Sequence, residues 1–154
     1  MKNYLLFGLF SLVFGLPILS SCGSDDKDGD LFDNQNSRGT HYSKEQLYGI
    51  WETMFYDDKG FVILGCLEFM ANGKGEVNEI KNDGDVINSE SFSWELISSS
   101  SIPELGVVDK YVIVLTFQDG QKVYLIIEKL TSTNLQLASE TGGTVLFTKK
   151  THKK

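Results

Sequence analysis

The chain has 154 residues, 41% hydrophobic and 23% charged, a globular balance that excludes a fibrous or wholly disordered protein. Its formal net charge of −7 makes a surface that repels phosphate backbones and anionic head groups. No cluster of aromatic and basic residues argues for nucleic acid as a partner, and the length predicts one domain plus processed segments.

Residues 1–21 carry the three parts of a secretory leader. Lys2 and the free amine form a short positive region, "YLLFGLFSLVFGLPIL" is a continuous apolar run, and small Ser20 and Ser21 precede Cys22. A spanning helix needs about 20 apolar residues. This run is shorter and is followed by acid rather than by a basic stop-transfer cluster, so a retained anchor helix is the weaker reading. Leu19-Ser20-Ser21-Cys22 resembles the lipobox of bacterial lipoproteins. That resemblance implies diacylglycerol on the Cys22 thiol, cleavage before Cys22, and acylation (palmitate being the expected chain) of the new amine. Two or more chains give stable anchoring where one is marginal.

Asp25, Asp26, Asp28, Asp30 and Asp33 then crowd a glycine- and asparagine-rich stretch broken only by Leu31 and Phe32. Such a segment cannot bury enough apolar surface to offset its ordering entropy, and residues 23–40 read as a solvated tether. "GSDDKDGD" also resembles the export signal that surface lipoproteins of Bacteroidota carry after the lipidated cysteine. A plain acidic spacer is the competing reading. A disulfide from Cys22 to Cys66 would tie the domain to this tether, and two cysteines make no framework. Cys66 is expected to be a small buried apolar residue.

Ser43-Lys44-Glu45-Gln46 has the form of a capping box and predicts one helical turn within 41–47. Beyond it the pattern is period 2. Strands are predicted at 48–56, 61–70 (with Gly65 a bulge or close-packing point), 76–82, 89–97, 110–117, 121–130, 134–140 and 144–150. In the fourth, Phe92, Trp94 and Leu96 alternate with Ser91, Ser93 and Glu95. Residues 98–109, holding Pro103, are the longest break, and Asp119-Gly120 is a strong hairpin signal. No stretch has the 3.6 period of a crossover helix. The expected fold is all-β: an eight-stranded antiparallel meander that removes its edges by closing into a barrel. The predicted organisation is leader 1–21, lipidated Cys22 and tether 22–42, barrel 43–150 and tail 151–154.

Gly49-Ile50-Trp51 opens the first strand directly after the helical turn, a placement that resembles the G-x-W signature of lipocalins. The longer arrangement resembles the lipocalin-like domains of Bacteroidota lipoproteins. Its counterparts are Leu47-x-Gly49-x-Trp51, Leu67-Glu68-Phe69 before Asn72-Gly73, Phe92-Ser93-Trp94, and Leu135-Gln136-Leu137 through Phe147. The resemblance implies a small barrel with the tryptophan plugging its closed end. It departs from lipocalins in lacking an arginine in the last strand; Lys149 or Lys150 is left to cover Trp51. Simple core packing is the competing role for Trp51 and Trp94.

Catalytic constellations are scarce. His41 and His152 fall outside the predicted barrel, which argues against a histidine base, a triad or a zinc site within it. Glu52 with Glu68, and Glu76 with Glu79, read as carboxylates of a solvated outer face. Aspartates at 57, 58, 83, 85 and 119 have a backbone reason to sit in turns. No enzyme, cofactor or metal is expected. The first functional expectation is a lipid-anchored extracytoplasmic binding protein, attached to the outer membrane through Cys22 and exposed at the cell surface if the acidic run is an export signal rather than a spacer. Its barrel would hold a small apolar ligand against Trp51, Phe69, Phe92, Trp94, Val114, Leu125 and Leu137. The alternative is a solid barrel that docks an envelope protein, those same residues being its core.

Overall fold

A computed structural model describes residues 41–151; the expected leader, Cys22, the tether to residue 40 and residues 152–154, His152 among them, lie outside the described residues. After a helical turn α1 (Lys44–Leu47) come β1 (Gly49–Tyr56), β2 (Val62–Phe69), β3 (Lys74–Lys81) and β4 (Val86–Ser98). Two 3-10 turns, Ser99–Ser101 and Pro103–Leu105, lead to β5 (Tyr111–Phe117), β6 (Lys122–Leu130), β7 (Asn134–Ser139) and β8 (Thr144–Lys149). The strands pair in chain order and β8 returns to β1, closing the predicted eight-stranded antiparallel barrel.

Several boundaries differ from expectation for packing reasons. β3 starts at Lys74, so Gly75 lies in the strand and not in the turn. A Cβ there would collide with the Glu68 carbonyl oxygen and the Phe92 ring, so close approach, not chain reversal, requires this glycine. β4 is the longest strand because its first part pairs with β3 and its last with β5. Gly65 is no bulge: it pairs in regular register with Thr53 and Glu79. The register shifts fall instead at Glu79/Ile80 and Ile127/Lys129.

The capping box forms as read, the Ser43 N–H donating to Gln46 Oε1 at 2.9 Å. The segment before it is not a free tether at its inner end, since the rings of His41 and Tyr42 both meet Tyr111 edge-on at 5.7 Å. Turn aspartates cap local amides: Asp57 Oδ1 accepts from the Lys59 and Phe61 N–H groups, and Asp119 Oδ1 from that of Gln121.

Two apolar clusters result. The larger lies inside the barrel and is built from inward side chains of all eight strands and Leu47. The smaller lies outside: Ile102 of the long connection, with Leu105 and Val107 against it, covers Val112, Val114, Ile126 and Ala138 on the outer face of β5–β7. The longest break in the sequence is thus a strap over one side of the wall.

Candidate functional site

The plugged end of the barrel is built from two tryptophans. Trp51 is fully buried, and its Nε1–H donates to the Leu47 carbonyl at 2.7 Å, tying α1 across the opening. Lys149 covers it from β8, with Nζ 4.9 Å from the ring centroid and donating to the Gln46 carbonyl. Lys150 turns away to pair with Glu52 at 2.9 Å. Gly49 precedes this stack at φ +115°, and a Cβ there would sit 3.2 Å from the Lys149 stem. Trp94 does the same for the β2–β3 turn: its Nε1–H is shared between the carbonyls of Met70 and Lys74.

Above this plug, Phe69 stacks edge-on against Trp94 and Phe92, and Phe92 against Phe117. Of the residues expected to line a cavity or form the core, Trp51, Phe69, Phe92, Trp94, Leu125 and Leu137 belong to this one cluster, none more than 5% exposed. Val114 does not join them. It faces outward beneath the strap, paired in register with Glu95 and Tyr124. "YVIVL" is apolar at every position, so its parity could not be read; the strap buries the outward residues as fully as the barrel buries the inward ones.

Toward the hairpin end the interior turns polar. Glu79 points inward and is 8% exposed, where a solvated outer position was expected. Its Oε2 accepts from Asn88 Nδ2 at 2.6 Å, which offsets part of the cost of burying it. Glu90, opposite inward-facing Val77, has an Oε2 that is buried with no hydrogen-bond partner among the described residues. Burial, then the nearby Asp119 carboxylate, push the Glu90 carboxyl above its ordinary range. Neither residue was singled out from sequence as an interior acid. The signal was parity: 88 and 90 alternate in step with inward Phe92 and Trp94.

The other carboxylates stay outside. Glu52 opposes Cys66, not Glu68, and Glu68 opposes Glu76. Cys66 is buried on the outer face, and burial followed by Glu52 pushes its thiol up, favouring the protonated form. Among the described residues no group of three or more His, Cys, Asp or Glu could hold a metal ion.

The wall is uneven. The β1–β2 ladder runs from Gly49↔Phe69 to Tyr56↔Val62. The closing ladder comprises only Trp51↔Lys149 and Glu52↔Thr148, extended by the Lys150 N–H bond to the Ile50 carbonyl. From Thr53 to Tyr56 on one side and Thr144 to Phe147 on the other, β1 and β8 have no register partners across the seam. Large exposed apolar side chains border it: Met54 and Tyr56 on β1, Leu146 on β8. Comparison with protein-family models, with curated proteins and with solved structures returned no match.

Proposed function

We propose that this chain is a lipid-anchored protein of a bacterial envelope whose solid barrel is a protein-interaction module at the end of its tether. The anchor reading rests on the leader, the lipobox-like Leu19–Cys22 and the acidic stretch that follows. The observation that carries the module reading is where the apolar surface goes. Six of the seven residues considered as a ligand lining are consumed by packing against one another, while Met54, Tyr56, Phe61, Val86 and Leu146 remain exposed outside.

Crosslinking on intact cells followed by affinity capture tests this. A specific neighbouring envelope protein is expected; recovery of none sinks the reading. The anchor is tested separately: Cys22→Ala is expected to release the protein from membranes, and undiminished membrane association would refute lipidation.

A small ligand is the second reading, favoured by the orphan Glu90 Oε2 beside the Glu79–Asn88 pair inside the mouth. Such a ligand would carry hydrogen-bond donors there, rather than being wholly apolar. Native mass spectrometry of protein from its host is expected to show added mass under this reading, and a ligand-free mass removes it.

A further inference from the structure

We propose that the notch between β1 and β8 takes an extended segment of a partner protein as an added β-strand, apolar along its length and basic where it passes the hairpin tips. This rests on the interaction reading above and specifies its chemistry.

Hydrogen-bond parity places the backbone groups that have no partner among the described residues. The bond from Lys150 N–H to the Ile50 carbonyl makes even-numbered residues of β1 the ones that face β8, and the bond from Lys149 N–H to the Thr133 carbonyl turns odd-numbered residues of β8 toward β7. The N–H and C=O groups of Met54 and Tyr56, and of Thr144 and Leu146, therefore face the notch. An unpaired strand edge is a template for another strand, and natural edges are blunted by charges, prolines or bulges. "TMFY" (53–56) and "TVLF" (144–147) contain no charge and no proline, and β1 and β8 have no register shift.

Side chains set the composition of the occupant. Outward it lies between Met54, 74% exposed, and Leu146, 55% exposed; inward it meets Phe55 and Val145. Both faces are apolar. Charge decides which strand comes. The four hairpin turns at the wide end of the notch carry Asp57, Asp58, Asp83, Asp85, Asp119 and Glu140 against Lys59, with Lys81 and Lys122 on the strand ends beside them, so acid prevails. That rim attracts a basic segment and repels both the acidic residues 23–40 of this chain and a second copy of a chain with net charge −7.

Amide hydrogen exchange of the full chain tests the proposal with three synthetic probes. These are a short valine–threonine peptide flanked by lysines, its glutamate-flanked twin, and the lysine peptide N-methylated at alternate residues. The lysine peptide is expected to slow exchange at Met54, Tyr56, Thr144 and Leu146 about tenfold or more, with little effect from the other two. No slowing, or equal slowing by the N-methylated peptide, overturns strand addition. Slowing already present without peptide overturns it too: lost on dilution, the occupant is a second copy; lost in Leu31→Ser/Phe32→Ser, it is the chain's own tether.

On cells, Met54→Pro removes a notch-facing N–H while sparing the ladder to β2; Leu146→Lys charges the opposite edge and serves if the proline variant fails to fold. Both are expected to lose the crosslinked partner. If the wild type captures a partner that both variants retain, the strand-addition proposal falls and the interaction reading stands. If the wild type captures none, the interaction reading itself falls.

Discussion

The two ends of the barrel solve the same problem in opposite ways. At the plugged end, Trp51, Trp94, Lys149 and α1 satisfy one another: indole N–H groups reach the carbonyls of Leu47, Met70 and Lys74, and a lysine lies over a buried ring. At the hairpin end, among the described residues, Glu79 pairs with Asn88, a Glu90 oxygen has no partner, and the β1–β8 ladder has already stopped. Saturated polar groups and continuous packing make the first end a stability element. Unspent hydrogen-bonding capacity makes the second the end at which the proposed partner would bind.

Mutations at the two ends are expected to differ accordingly. The largest effect belongs to Trp51→Ala, which empties the plug and orphans the Leu47 carbonyl. A loss of about 3–5 kcal/mol is expected from the shift in denaturant midpoint, and a loss below about 1 kcal/mol would show that the plug is not a stability element. Gly75→Ala comes next, at about 1–3 kcal/mol, because the new methyl must displace the Phe92 ring or the Glu68 backbone.

Glu90→Gln should act in the opposite direction, raising stability at neutral pH by up to about 1 kcal/mol. The sign follows from linkage: native Glu90 keeps its proton to a higher pH than unfolded Glu90 does. Its penalty is absent below the unfolded carboxylate range, grows as pH rises to the native value, and stays in full above it. The glutamine variant should therefore be flatter in a pH series of unfolding curves; an unchanged slope would acquit Glu90. Smallest of all, Tyr56→Thr at the notch should alter stability by no more than about 0.5 kcal/mol. A larger cost would mean that the hairpin end is part of the stability element after all.

Period-2 alternation and the hairpin signals make the eight strands legible in the sequence, and the resemblance of Gly49-Ile50-Trp51 to the lipocalin signature implies a tryptophan at the closed end. The interior acids were within reach of the same parity, since Glu90 shares the phase of Phe92 and Trp94. They were overlooked because a carboxylate on a strand is ordinarily an outer-face residue. Val114 was not within reach: a run apolar at every position carries no phase. The role of residues 99–107 as a strap was equally hidden, since a serine- and proline-containing break does not announce what it covers.

By itself, then, the sequence determined local matters: where strands run and turn, and that Gly49-Ile50-Trp51 opens the first strand after a helical turn; the leader and lipobox-like segment it supports as a proposal. These depend on neighbours a few residues apart. Only the tertiary structure decided how the barrel closes. β8 follows β7 and β1 follows β2, and the two hairpins part after Glu52↔Thr148. The meeting of the first and last strands depends on the shear and twist accumulated around the whole sheet, which no short pattern in the chain encodes.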